Sequence, residues 1–365
     1  MNFQVNNRVF YADMTPVDNS GEPGMYARYN DQTYRVSNGT VLNKISTPKF
    51  WVRTRDNTST FTFTIAARGT FIIDWGDGNR EQRTHDDVEP QTYTHTYSTP
   101  GQYKIGLGGM ATEYAIFDPY HPDFSRATLS FGGLHTGNRL NGKTDYNPVF
   151  GFDGVLSGVF PTIGNGGNGN QPNFAATFSG GAADNSCRYS YYGNANDSPF
   201  AGLHGIPSDG MFMYTFAYNS GPSNCLAIKN LFLGITYTAP YLFAYTFYGN
   251  REIYVHYTDG IFSTISGPIR PYMFAHTFSC APQVCNVFVG VPGNFFGNLT
   301  GDDAENAFQG MFYYTLVHSG ISNLSLPDGR YIWDVWPNSG NKAMSCQLGT
   351  KELEQYNVPR SWWGC

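Results

Sequence analysis

Two stretches of the sequence decide how this chain is built, PYLFAYTFYG at residues 240–249 and PYMFAHTFSC at residues 271–280. Both follow the pattern Pro-Tyr-aliphatic-Phe-Ala-x-Thr-Phe. The shorter phrase Phe-x-x-Thr-Phe recurs at 174–178, 212–216, 243–247 and 274–278, with a variant ending in Leu at 312–316. A fixed phrase that returns every 31 or 38 residues predicts repeated supersecondary units.

One such unit cannot bury its aromatic face alone, whereas stacked units bury phenylalanine against phenylalanine. We therefore expect the first residues of the five phrases to take equivalent places along one core. These structural residues are Phe174, Phe212, Phe243, Phe274 and Phe312.

The composition indicates a β-rich, loop-rich protein. Charged residues are 14% of the 365 residues, below the roughly 25% of typical soluble chains, while aromatic residues are 16%. The net charge of −6 provides no basic surface, so neither nucleic acid nor anionic lipid is predicted as a partner. No apolar run approaches the roughly 18 residues of a membrane span, and the N-terminus lacks a signal-peptide pattern. Membrane insertion is therefore not predicted.

The front of the chain alternates apolar and polar residues as short antiparallel strands do, from residue 50 to residue 107. Within it lie WGDG at 75–78, HTY at 95–97 and GQYKI at 101–105. This order of motifs resembles the polycystic-kidney-disease (PKD) domain. The resemblance implies a β-sandwich over residues 49–110, in a family found in surface and secreted proteins as spacers or adhesion modules.

The residues of the WGDG turn fit a structural role. We expect Trp75 to be a buried apolar anchor and Tyr97 to pack across the sandwich. Asp74 and Asp77 are expected to close a tight turn with the neighbouring glycines. The alternative is a calcium site, because two carboxylates lie close together there. No other cofactor is predicted.

The repeats resemble the BspA-like leucine-rich repeats of bacterial surface proteins, most clearly in the unit that runs from AF through MFYYT to SGISNLSLPDG. The resemblance implies a leucine-rich-repeat-like β solenoid with short helical turns, assigned to residues 111–335. The fold class is thus mainly β, a sandwich followed by a solenoid. Residues 1–48 are predicted to be an N-terminal segment for assembly or docking, and residues 336–365 are predicted to be a C-terminal cap or tail.

Tyrosines outside the phrases are the candidates for an exposed ligand face, because tyrosine offers rigid contact area with a polar tip. They are Tyr189, Tyr191, Tyr192, Tyr254 and Tyr257. The phenylalanines of the phrases are interpreted as core without a recognition role.

Two further features bear on nucleotide binding and on cysteine chemistry. GNRLNGKT at 137–144 matches the phosphate-loop pattern, but the Pro- and Gly-containing segment after it predicts no helix, so a chance match is favoured. The six cysteines form no C-x-x-C pair. Cys187 and Cys225 each lie nine residues after a closing phenylalanine, and we expect them to be neighbours on adjacent units. Reduced cysteines are favoured over a disulfide.

With no catalytic motif in view, the sequence favours a non-catalytic protein that mediates adhesion or assembly. It would lie outside the cell, on a bacterial surface or on a phage particle such as a fibre. Its expected partners are other proteins of that assembly, or a host protein or glycan, and a homo-oligomer is a further alternative. The rival function is a carbohydrate-active enzyme or glycan-binding module.

Overall fold

The computed structural model describes, with side chains, residues 48–131, 149, 151–163, 169–179, 198–218, 231–232, 234–250, 260–279, 291, 293–315, 320–344, 351 and 353–364, and it describes residues 150, 316, 317, 350 and 352 as backbone within their strands and helix. The backbone alone is described for the strands within residues 2–45 and for 190–191, 252–253 and 286–288. The predicted mainly β class is confirmed. The strands are β1 (Asn2–Val5), β2 (Arg8–Tyr11), β3 (Met25–Tyr29), β4 (Gln32–Ser37), β5 (Thr40–Ile45), β6 (Phe50–Thr54), β7 (Thr58–Ile65), β8 (Ala67–Asp74), β9 (Arg80–His85), β10 (Gln91–Gly101), β11 (Lys104–Tyr114), β12 (Leu129–Ser130), β13 (Val149–Gly154), β14 (Ser190–Tyr191), β15 (Glu252–Ile253), β16 (Gly267–Pro268), β17 (Asn286–Phe288), β18 (Leu299–Thr300) and β19 (Thr315–Val317).

Two sheets form the front of the molecule. One has the strand order β14-β13-β6-β11-β8-β9, and the other has the order β10-β7-β12. All neighbouring strands in them are antiparallel except β13 and β14, which are parallel. Strands β12 and β13 lie beyond residue 110, so the segment 49–110 does not complete either sheet by itself. Within residues 2–45, β1 pairs with β2 and a separate sheet has the order β3-β4-β5.

The burial predicted for the WGDG turn is confirmed. Trp75 is 2% exposed, and its ring lies 5.8 Å from that of Phe63 on the facing sheet. Tyr97 is 4% exposed and donates its hydroxyl hydrogen to the carbonyl of Trp75 at 2.9 Å. Both contacts come from the sheet that faces β8, so the turn after β8 is fixed against the opposite sheet.

The repeated phrases have a backbone cycle of four residues. In the segment 241–250, φ is positive at Tyr241, Tyr245 and Gly249, at 56°, 57° and 70°. Few residues other than glycine adopt this left-handed region, so the cycle needs compensating interactions. The cycle recurs in the other units, where φ is positive at Ala176, Gly210, Tyr214, Tyr218, Tyr272, His276, Asn306, Gly310 and Tyr314.

Backbone hydrogen bonds supply that compensation in a regular alternation. The N–H groups of residues 241, 243, 245, 247 and 249 donate to carbonyls of residues 271–279 in the next unit, at 2.8 to 3.0 Å. Those of residues 242, 244, 246, 248 and 250 donate three residues back within their own unit. Every N–H of the phrase is thus bonded, alternately along the chain and between units.

The phenylalanines of the phrases stack in two parallel rows. Rings in the first row lie 6.5, 5.8 and 5.5 Å apart from Phe174 through Phe212 and Phe243 to Phe274. The closing phenylalanines, at 178, 216, 247 and 278, are 5.4, 5.7 and 5.3 Å apart. All belong to one hydrophobic core, which confirms that Phe243 and Phe274 share it.

The prediction for the fifth unit is wrong by four residues. Phe308 stacks on Phe274 at 5.4 Å, while Phe312 stacks on the closing Phe278 at 5.5 Å. Phe312 is therefore buried as expected but is not equivalent to Phe274. Because the backbone repeats every four residues, Phe308 and Phe312 have the same spacing as Phe274 and Phe278. Met311 takes the place of the threonine.

Both ends of the phenylalanine rows are covered. At the front, Phe178 packs against Phe152 at 4.8 Å, so the core between the two sheets continues into the repeats. At the back, Phe308 lies 5.8 Å from Trp336 and 5.6 Å from Trp362. This closing segment holds the helices α1 (Ile332–Val335) and α2 (Thr350–Gln355). The closing segment therefore begins before residue 336.

Candidate functional site

The outer side of the repeats carries aromatic side chains at the positive-φ positions. Tyr214, Tyr245 and His276 form one column, with ring centroids 4.6 and 4.9 Å apart and planes within 16° of parallel. Tyr241 and Tyr272 form a second column, with rings 4.8 Å apart and 9° from parallel. Tyr120 meets Tyr241 edge to face at 4.9 Å, and Phe124 meets Tyr214 in the same way at 5.6 Å. We call these seven residues the outer aromatic face.

Small buried side chains lie beneath this face. Ala175, Met213, Ala244 and Ala275 are at most 5% exposed and form an apolar cluster separate from the main core. Tyr214, Tyr241, Tyr245 and Tyr272 pack on this cluster and remain half-buried. The outer aromatic face is thus anchored from below but still reaches solvent.

Tyr241, Tyr272 and His276 of the face are neutral near pH 7. Burial, followed by the nearby tyrosines, raises the pKa of Tyr241 to about 12. Burial lowers the pKa of His276 to about 4, and its Nδ1 lies 3.2 Å from the hydroxyl of Ser279. The hydroxyl of Tyr272 donates to Glu305 at 2.7 Å, and this hydrogen bond is the main reason that its pKa is raised.

The repeat segments that carry five of the seven face residues have no fixed charge, whereas Tyr120 and Phe124 lie in a segment that contains Asp118, Asp123 and Arg126. Residues 210–218, 241–250, 272–279 and 306–315 include no Asp, Glu, Lys or Arg. Glu305 lies at the margin, and Asn306 donates to the hydroxyl of Tyr272 at 3.1 Å. The part of the face on the repeats is therefore aromatic and lacks fixed charges, and charged residues lie at its margin, at Glu305 and beside Tyr120 and Phe124.

The candidate calcium ligands have protein partners instead. Asp74 accepts from the backbone N–H of Gly76 at 3.0 Å and pairs with Arg80 at 2.7 Å. Asp77 accepts from the backbone N–H of Asn79 at 3.0 Å and from Nε2 of His95 at 2.8 Å. Burial alone would raise the pKa of Asp77, but the hydrogen bonds from His95 and Asn79 outweigh it and hold that pKa below its usual value. Within the described ranges, no group of three or more His, Cys, Asp or Glu is placed to hold a metal ion.

Several predicted features lie outside the described residues. They are Tyr189, Tyr192, Tyr254 and Tyr257 of the predicted ligand face, Cys187, Cys225 and the segment 137–144, while Tyr191 is described only as backbone in β14. The two units that carry these cysteines are adjacent, because the backbone N–H of Phe178 donates to the carbonyl of Thr215 at 2.9 Å.

Sequence reasoning missed the outer aromatic face because it looked for ligand tyrosines outside the phrases. A signal was present. Tyr241 and Tyr245 are four residues apart, and tyrosine or histidine stands between the phenylalanines at 214, 245 and 276, at intervals of 31 residues. Tyrosine or histidine, rather than phenylalanine, recurs at this constant spacing. This change of aromatic type indicates the positions on the outer side of the repeats.

Comparison with known proteins identifies no relative, since no family model, curated protein or solved structure matches this chain. Over the described part of the chain, no helix has the length and apolar character needed to cross a membrane.

Proposed function

We propose that this chain is a non-catalytic adhesion or assembly protein that binds a partner through the outer aromatic face. The observation that carries this proposal is the pair of columns formed by Tyr214, Tyr245 and His276 and by Tyr241 and Tyr272. Tyrosine is enriched where proteins recognise one another, because it offers a large contact area and loses little conformational entropy on binding.

The packing beneath these rings supports a binding role. The tyrosines are held in place by ring stacking and by the apolar cluster below them, so little side-chain freedom remains to be lost on binding. Their backbone is fixed by hydrogen bonds to the next unit. A rigid face of this kind is preorganised for a partner.

The architecture we propose is a PKD-like β-sandwich joined to a BspA-like solenoid. The buried Trp75 and the hydrogen bond from Tyr97 to its carbonyl support the first part. The stacked phenylalanines and the hydrogen bonds between units support the second. Solenoids need covered ends and present extended surfaces to partners, which fits the tryptophan-rich closing segment and the outer face.

We further propose that the protein works outside the cell, on a cell surface or on a phage particle. PKD-like and BspA-like modules are expected in such proteins. The partners would be other proteins of the assembly, or a host protein or glycan.

The test is a binding screen beside a turnover assay. The whole chain would be applied to immobilised glycans and to peptides and proteins of cell surfaces, while the same polysaccharides are monitored for new reducing ends. We expect binding without turnover, lost in a Tyr214→Leu, Tyr245→Leu double variant. Tyr356→Leu is the matched control, because Tyr356 is also a half-buried tyrosine but lies in the closing segment. Release of reducing ends would instead support the rival carbohydrate-active enzyme, and binding that survives the double variant would refute the role of the face.

A further inference from the structure

Building on the proposed function, we infer that the outer aromatic face binds an uncharged polypeptide segment in the polyproline II conformation. The segment would lie along the direction in which the units stack, across Tyr214, Tyr245 and His276. This names the class of partner and the direction in which it lies.

The first argument is a match of periods. The two successive ring spacings in this column, 4.6 and 4.9 Å, together span about 9.5 Å. A polyproline II helix has three residues per turn and rises about 3.1 Å per residue, so one turn advances about 9.3 Å. Every third residue of such a peptide would therefore meet every second ring of the column in the same way.

The second argument is the orientation of the rings. Because Tyr214 stacks on Tyr245 at 4.6 Å and His276 stacks on it at 4.9 Å, both faces of the Tyr245 ring are covered, and the column offers no open ring face there. A sugar needs an open ring face on which to stack. A proline-rich helix instead packs its pyrrolidine rings against a ridged aromatic surface, as in the known aromatic-lined sites for such peptides. The ring geometry thus favours the peptide over the glycan.

The third argument is complementarity in charge. The repeat segments that carry Tyr214, Tyr245 and His276 have no Asp, Glu, Lys or Arg, and His276 is neutral near pH 7 because burial lowers its pKa. A charged ligand would lose hydration there without gaining a partner of opposite charge.

The described column also sets the length of the segment. From Phe124 through Tyr214 and Tyr245 to His276 the successive ring distances are 5.6, 4.6 and 4.9 Å, about 15 Å together. That distance corresponds to about five residues of a polyproline II helix. At the far end, Gly310 has no side chain, and its backbone lies against the His276 ring.

The experiment measures binding of a fluorescently labelled polyproline decapeptide to the whole chain by anisotropy. A Gly-Ser decapeptide and cellohexaose serve as comparison probes. We expect saturable binding of the polyproline probe, no binding of the Gly-Ser probe, and at least about a tenfold loss of affinity in Tyr245→Leu, the size expected for a central aromatic contact. Tyr356→Leu should bind as the parent does.

Folding of each variant is checked by circular dichroism, and Tyr214→Leu, in the same column, replaces Tyr245→Leu if the latter fails to fold. A shift of the His276 ring resonances on titration with the polyproline probe is a second expected result, measured on the parent protein. Failure of the probe to bind, or binding unaffected by the folded variant, would overturn this inference. Saturable binding of cellohexaose alone, lost in Tyr245→Leu, would overturn the peptide assignment and leave the proposed function standing.

Discussion

Replacing Phe243 by alanine is the sharpest test of the stacked core. The Phe243 ring is fully buried, and four other rings surround it. Phe212 and Phe274 stack on its two sides at 5.8 and 5.5 Å, and Phe232 and Phe262 approach at 4.7 Å from within the core. Truncation of Phe243 would leave a cavity between its stacked neighbours and the two rings that contact it from within the core.

The expected cost follows from these contacts. Phe→Ala changes in cores cost about 3–5 kcal/mol, through lost transfer free energy and the cavity left behind. Aromatic pairs add about 0.5–1.5 kcal/mol beyond the area they bury, and Phe243 takes part in four of them. We therefore expect the upper end, about 4–5 kcal/mol. That is a large fraction of the roughly 5–15 kcal/mol that stabilises a typical folded protein.

The loss in the free energy of unfolding is measured by urea denaturation, with tryptophan fluorescence as the signal. The core extends from Trp75 in the two sheets to Trp336 in the closing segment, so tryptophans at both ends report on it. Tyr237→Ala is the control, because Tyr237 lies in the same unit but is 51% exposed, and surface substitutions change stability by about 0.5 kcal/mol or less. A loss below about 1 kcal/mol for Phe243→Ala would refute the stacked core.

Two further predictions concern single hydrogen-bonded groups. The buried Thr246 hydroxyl donates to the carbonyl of Phe212 at 2.8 Å, so Thr246→Val should cost about 1 kcal/mol, measured by the same denaturation; a neutral or stabilising effect would contradict the role of this bond. The pKa of Asp77 is lower in the folded state than in the unfolded chain, so its contribution is complete above the unfolded value of about 3.9 and is lost as the pH falls through the folded pKa. Asp77→Asn should therefore destabilise at pH 6 and have a smaller effect at pH 2, and an equal effect at both would contradict the His95 contact as its source.

The sequence alone predicted the features that depend on apolar spacing. Phe243 and Phe274 share a core because side chains at equivalent positions of repeated units must meet. Trp75 is buried because removing a large aromatic side chain from water is strongly favourable, even when the residue lies in a tight turn. In both cases hydrophobic burial alone determines the outcome.

The features that depend on backbone conformation were not predictable in this way. Tyrosine and histidine seldom adopt positive φ, so nothing in their propensities indicated the left-handed positions at 241, 245 and 276. Without the four-residue cycle, the fifth unit was aligned by its threonine, Thr315, rather than by Phe308. For the same reason, the tyrosines inside the phrases were not recognised as an outer face.

The four-residue cycle also explains why one short phrase can serve two purposes. In the unit that starts at Tyr241, the left-handed residues Tyr241 and Tyr245 point outward, while Phe243 and Phe247 between and beyond them point into the core. The two sets of side chains belong to different apolar clusters, so an outward residue can change without opening a cavity in the core. His276 in place of tyrosine, and Gly310 at the end of the same column, are such changes within this chain. Residues at the left-handed positions can therefore vary while the phenylalanines maintain the core, and under the proposed function these positions would determine what the protein binds.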